Sequence, residues 1–154
     1  MCGIVGYTGP RNSVQPIIEG LGRLEYRGYD SAGICLKINH KLSIFKKEGK
    51  LENLKGLLKD SSPVSQVGIG HTRWATHGGV SSDNAHPHGN EYFAVVHNGI
   101  IENASGLKKQ LQAEGWEFKS QTDSEVFLVL LTKNFHELKD TLKAIALTFQ
   151  TSLG

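Results

Sequence analysis

Short apolar runs at residues 2–7, 33–38, 42–47, 64–75 and 92–101 are interleaved with segments whose apolar residues recur at helical spacing. The two periods do not alternate strictly, as they would in a doubly wound parallel sheet. Several runs instead sit close together like hairpin arms, with helices between the pairs. This order predicts an α+β fold, a layered arrangement of antiparallel strands and helices. Val14, Ile17, Ile18, Leu21 and Leu24 fall on one helical stripe, with Asn12 or Ser13 as its cap. A polar, glycine-containing loop is expected over 25–33. Strands over 33–38 and 42–47 flank a turn at Asn39-His40-Lys41, and a helix over 51–59 ends before Pro63. A strand within 64–75 leads into a loop of Gly, Ser, Asp, Asn, His and Pro over 76–89, a length often reserved for function. A buried strand is expected over 92–101, a helix over 104–114 stopped by Gly115, and a short edge strand over 116–119. Thr122-Asp123-Ser124-Glu125 has the capping-box form before another helical run, and a last helix covers 138–149.

With 154 residues the chain suits one domain, 1–154, with room for a core. Lys plus Arg is 17 against 15 for Asp plus Glu, and no basic stripe marks a nucleic acid or an anionic membrane surface. No apolar run is long enough to span a bilayer. The opening Met1-Cys2-Gly3-Ile4-Val5-Gly6 lacks the charged start of a signal peptide. The two cysteines, Cys2 and Cys35, are too few for a disulfide framework and fit a reducing cytoplasm.

Four segments carry candidate chemistry. Cys2 has a small side chain that lets methionine aminopeptidase remove Met1. The exposed residue would then combine a thiol nucleophile with an α-amine whose reference pKa of about 7.7–8.0 makes it a base near neutrality. The plainer reading is a small apolar residue opening a strand. Asn98-Gly99, at the end of an apolar run, pairs a side-chain amide with a following backbone N–H, as an oxyanion hole requires, though the same dipeptide is the commonest hairpin turn. Arg73 could grip a carboxylate with its forked guanidinium or make an ordinary surface ion pair. Asp123, at a helix start, could hold a substrate ammonium or simply favour the helix dipole. Together these parts would suit an amino acid with a side-chain amide. His71, His77, His86, His88 and His97 match no familiar zinc spacing, so a structural or substrate-loop role is preferred to a metal. Cys35 reads as core.

The stretches CGIVGY at 2–7, LEYRGYDSAG at 24–33, GHTRWATHG at 70–78, NAHPH at 84–88, VVHNGIIEN at 95–103 and TDSE at 122–125 occur in one order and spacing. This set closely resembles the glutaminase domain of the glutamine–fructose-6-phosphate aminotransferase (isomerising) family. The wording RGYDSAG and HTRWATHG is similar to that aminosugar branch and unlike the phosphoribosylamine and asparagine-forming branches. The resemblance implies an N-terminal nucleophile hydrolase αββα sandwich, incomplete at the C-terminus, that needs no cofactor or metal. It implies Cys2 as nucleophile with its own amine as base, and Asn98 and Gly99 as the oxyanion hole. Arg73 would bind the glutamine carboxylate and Asp123 the ammonium. Trp74, Thr76 and His77 would lie on a loop closing over glutamine, with Trp74 also gating ammonia, and Arg27 would support the site. The match fades after about Ala144, and the family's later strands and two sugar-phosphate isomerase domains are not matched. That implies glutamine as ligand, a sugar-phosphate isomerase domain or protein in trans, and self-association through an open sheet edge. The competing reading is a non-catalytic truncated remnant or interaction fragment of the same family.

Overall fold

The computed structural model describes residues 2–27, 30–74 and 79–154, with the side chain of Arg27 excepted. They form two compact units, Met1–Asn98 and Gly99–Gly154.

The first unit is built on a four-stranded antiparallel sheet. Its strands are β1 (Gly3–Thr8), β2 (Ser31–Ile38), β3 (Lys41–Glu48) and β4 (Val67–Arg73), in the spatial order β1-β4-β2-β3. Helix α1 (Val14–Leu24) and helix α2 (Leu51–Ser61) pack on one face. Strand alternation explains the core: Ala32, Ile34 and Leu36 of β2 point to that face. There they meet Ile17 and Leu21 of α1 and Leu51, Leu54 and Leu58 of α2. Helix α1 lies close because β4 presents glycines to it. A Cβ on Gly70 would come 2.6 Å from Ile17 Cγ2, and one on Gly68 would come 2.8 Å from Ile17 Cδ1. Asn12 prepares the start of α1, its Oδ1 accepting the Val14 N–H at 3.3 Å, while the Ser13 side chain makes no capping bond. The β2–β3 hairpin turns through Asn39 and His40, whose φ values of 49° and 63° give the left-handed pair that a two-residue turn needs.

The opposite face of the sheet carries His71 and Arg73 of β4, paired across the ladder with Gly33 and Ser31 of β2. The segment 79–90 lies against this face. Lys46 Nζ donates to the Ala85 carbonyl at 2.8 Å, and Glu48 Oε1 accepts the Ser82 N–H at 2.9 Å. A side chain on Gly33 would overlap the His86 carbonyl, so the missing Cβ is what admits this segment. Strand β5 (His88–Gly89) pairs antiparallel with β6 (Ala94–Val95) as a second, two-stranded sheet.

Three departures from the sequence reading occur here. The strand expected over 92–101 is reduced to β6, and β5 appears inside the stretch expected to be all loop. Asn90 Oδ1 accepts the N–H groups of both Tyr92 and Phe93, which bends the chain before β6, and among the described residues β6 has only the two-residue β5 as partner. The loop expected over 25–33 instead contains a 3₁₀ turn, Glu25–Arg27, and the start of β2.

The second unit consists of α3 (Ala104–Ala113), α4 (Asp123–Leu138) and α5 (Thr141–Thr151). Its core joins Ile101, Ala104 and Leu111 to Val126, Val129 and Leu130. Phe127 and Phe149 meet edge to face at 5.0 Å, and Asn134 Nδ2 donates to Thr148 Oγ1 at 2.9 Å, tying α4 to α5. The edge strand expected over 116–119 is absent. The Trp116 N–H goes to the Leu111 carbonyl and the Lys119 N–H to Glu125 Oε1, so two of its donors are spent locally. Thr122 caps α4, its Oγ1 accepting the Glu125 N–H at 3.4 Å. The reciprocal half of the capping box is replaced: the Glu125 carboxylate binds the Lys119 and Ser120 backbone instead. The last helix starts at Thr141 and not at 138, because Lys139 takes a left-handed φ of 53° that ends α4. Among the described residues, no helix is long and apolar enough to cross a membrane.

Candidate active site

The thiol of Cys2 sits just ahead of β1, where the ladder pairs Gly3 with Thr72 at the far end of β4. Antiparallel pairing therefore delivers the residues following Thr72 to the thiol. The Trp74 N–H donates to Cys2 Sγ at 3.2 Å, and Sγ lies 3.7 Å from the Trp74 carbonyl, at which the thiol can donate. Cys2 is half-buried, so the thiol is neither sealed in the core nor fully in solvent. Gly3 cannot carry a side chain here, since its Cβ would come 2.7 Å from Leu24 Cβ and 2.9 Å from Thr72 Oγ1. The second cysteine differs in kind: Cys35 is buried in β2, and burial pushes its thiol up to about 11, so it stays protonated and inert.

Asn98 closes the other side of Cys2. Its Nδ2 donates to the Cys2 carbonyl at 3.2 Å, and its Oδ1 lies 2.8 Å from His71 Nε2. His71 is 1% exposed and stacks on the ring of His86 at 4.3 Å with 18° between planes. His88 meets the edge of His86 at 4.7 Å, and the His97 N–H donates to His86 Nδ1 at 3.3 Å. Burial lowers His71 to about 4, against the opposing pull of its hydrogen bond to Asn98 and of the His97 backbone. Burial and then the neighbouring His71 ring push His86 far below the ordinary histidine range. Both rings are thus neutral at physiological pH. Among the described residues, no group of three or more His, Cys, Asp or Glu side chains is placed to hold a metal ion.

Arg73 is 5% exposed, which removes it from the class of surface ion pairs. Its Nη1 donates to the Gly79 carbonyl at 3.2 Å and lies 3.9 Å from Asp30 Oδ1, a Coulombic contact too long for a hydrogen bond. The Asp30 N–H returns to the Arg73 carbonyl at 3.2 Å, so the two residues fix one another. Trp74 is 44% exposed.

Gly99 and Asp123 belong to the second unit. Asp123 is the first residue of α4, half-buried, with Oδ2 accepting the Ile101 N–H at 2.8 Å and Oδ1 the Ser124 hydroxyl at 3.3 Å. Of the residues singled out from sequence, Thr76 and His77 lie outside the described residues. Arg27 ends the 3₁₀ turn after α1, and its side chain is likewise outside them. The first unit brings together Cys2, Trp74 and Asn98, and adds His71, whose link to Asn98 the sequence did not reveal. The one available signal was parity: His71 shares its strand face with Arg73.

The matches to known proteins agree with one another. A family model described as a glutamine amidotransferase domain matches residues 55–145. The glutamine–fructose-6-phosphate aminotransferase (isomerising) of Helicobacter pylori is 53% identical over 145 residues, covering 94% of this chain and 24% of its own length. The protein of the same name from Aquifex aeolicus is 51% identical over 157 residues, covering all of this chain and 26% of its own. The chain thus spans about a quarter of the length of these relatives. Among solved structures, the glutamine phosphoribosylpyrophosphate amidotransferase of B. subtilis, complexed with ADP and GMP, superposes with a TM-score of 0.86. It is 27% identical, and the match covers all of this chain and 33% of that one. A second, described as the allosteric regulatory enzyme of purine biosynthesis, gives 0.85 at 28% identity.

Proposed function

Because this chain belongs to the glutamine amidotransferase domain family, we propose that it hydrolyses glutamine to glutamate and ammonia through Cys2. We further assign it as the glutaminase portion of an enzyme that converts fructose 6-phosphate to glucosamine 6-phosphate, with residues 1–154 forming part of a type 2 amidotransferase domain. The single observation that carries this reading is the clasp on Cys2, with the Trp74 N–H on its sulfur and the Asn98 amide on its carbonyl.

The chemistry follows from those atoms. Removal of Met1 exposes the α-amine of Cys2, which takes the thiol proton directly or through a water. The sulfur attacks the side-chain amide carbon of glutamine. Negative charge develops on the amide oxygen, where the Asn98 Nδ2 and the Gly99 N–H would receive it. The protonated amine passes its proton to the departing nitrogen, ammonia leaves, and a γ-glutamyl thioester remains. The same amine then activates water, which releases glutamate and restores the thiol. Arg73 is assigned to the substrate carboxylate and Asp123 to its ammonium. Trp74, Thr76 and His77 are assigned to the loop closing over glutamine, with Trp74 gating ammonia, and Arg27 to support of that loop. The acceptor partner is a sugar-phosphate isomerase domain or protein, and the compartment is the cytoplasm.

The deciding experiment is glutamate release by the purified chain beside Cys2→Ala and Cys2→Ser, with intact-mass spectrometry of each. Both variants should be inactive, since a hydroxyl is a far weaker nucleophile near neutrality. Turnover by a preparation that retains Met1 would rule out the amine as base. A chain that folds, has lost Met1 and releases no glutamate would favour the non-catalytic fragment.

A further inference from the structure

Cys2 offers Asn98 a backbone carbonyl, which can only accept a hydrogen bond. The atom of Asn98 that faces it at 3.2 Å must therefore be Nδ2, and Oδ1 must face away. Oδ1 in turn can only accept, so the His71 Nε2 that lies 2.8 Å from it must carry a proton. The other ring nitrogen of His71, Nδ1, is buried with no hydrogen-bond partner among the described residues. The buried ring is neutral at physiological pH and so carries one proton, which the contact with Oδ1 places on Nε2. Stacking on His86 holds the ring plane, and the His97 N–H fixes His86 in turn.

From these contacts we infer that His71 is a positioning residue, donating from Nε2 to Asn98 Oδ1 and so keeping the Asn98 Nδ2 turned toward Cys2. An amide is nearly symmetric in shape, and without a directional neighbour it can present either end to the thiol. Presenting oxygen to a developing oxyanion would repel it. His71 makes the productive end the only one that satisfies both neighbours. Burial, which lowers His71 to about 4, makes it a poor base for the thiol. The inference rests on the assignment of Asn98 to the oxyanion hole.

The test compares the full chain with His71→Phe, which keeps a ring against His86 but has no donor, and with His71→Gln, whose amide nitrogen can stand where Nε2 stood. His71→Phe should lower kcat roughly tenfold, the scale of one hydrogen bond, with KM for glutamine little changed. His71→Gln should recover part of the loss. In Asn98→Ala, itself slower by roughly 10²–10³, adding His71→Phe should cost nothing more. A normal kcat in His71→Phe alongside a slow Asn98→Ala overturns this inference and leaves the glutaminase reading intact. A normal Asn98→Ala instead removes the oxyanion assignment. Nitrogen-15 NMR of the unmutated chain decides the matter even if the variants do not fold or the chain lacks turnover. His71 must show a protonated Nε2 and a bare Nδ1, and the opposite tautomer refutes the proposal.

Discussion

Acid should unfold this protein through its buried histidines before its carboxylates are protonated. The unfolded chain protonates His71 near 6.5, whereas burial holds it at about 4 in the folded state. Between those values the unfolded chain binds more protons. Stability is therefore fully present above about pH 6.5 and is lost as the pH falls toward 4. For this one ring the linkage relation gives a loss of about 2 kcal/mol between pH 7 and pH 5, and about 3 kcal/mol by pH 4. His86 adds to the loss in the same direction, and a protonated His71 would stand 4.3 Å from its ring. Against net stabilities of about 5–15 kcal/mol, this is a large fraction. Urea titrations at pH 7, 6 and 5 should show the midpoint falling, with most of the change above the range where carboxylates titrate. NMR of the folded chain should show His71 without a titration step above pH 5. A His71 resonance titrating near 6.5, or a midpoint independent of pH between 7 and 5, would refute the reasoning.

Gly33→Ala should destabilise by about 1–3 kcal/mol, toward the upper end because the obstacle is the His86 backbone carbonyl and not a flexible side chain; denaturant midpoints measure it. The same variant should lower glutamine turnover with it, since His86 backs His71. Arg73→Ala should raise KM for glutamine by roughly 10–100-fold, the worth of a charge-assisted contact, with a smaller change in kcat; steady-state kinetics would show the reverse if Arg73 acted in the chemical step. Glu125→Ala removes the acceptor of the Lys119 N–H, the Ser120 N–H and the Ser120 hydroxyl, and should cost about 2–3 kcal/mol by chemical denaturation. A loss below about 0.5 kcal/mol would mean that water replaces the carboxylate at no cost.

The sequence was most legible where local chemistry decides the structure. The apolar stripe of α1, the Asn39-His40 turn and the Thr122 cap each depend on residues a few positions apart, and each formed where expected. It was least legible where a side chain took backbone groups that a ladder would otherwise use. Asn90 did this before β6, and Glu125 did it at Lys119 and Ser120, so two apolar stretches that scan as strands did not extend as such. The candidate site divides in the same way. Cys2, Arg73, Asn98 and Asp123 carry recognisable groups and could be named in advance. The bond between His71 and Asn98 could not, because it spans 27 positions and depends on which face of β4 is covered. A buried histidine gives no sequence signal of what it touches.

The strand order β1-β4-β2-β3 also governs when the thiol acquires its surroundings. Among the described residues strand β1 bonds to β4 alone, and the β2–β3 hairpin, though local, gives it nothing to pair with. During synthesis the ribosome delivers β1, α1, the hairpin and α2 before the residues that complete β4 emerge, and Asn98 follows later still. A chain halted before β4 is complete carries Cys2 on an unpaired strand, without the Trp74 N–H or the Asn98 amide. Its thiol is then an ordinary one, exposed to oxidants and to other chains, and the strand beside it is an open edge. The surroundings of the thiol thus come together late, first when β4 closes the sheet and then when Asn98 reaches the Cys2 carbonyl. Translation pauses within the first seventy or so residues should be the interval of greatest hazard for mixed-disulfide formation and aggregation.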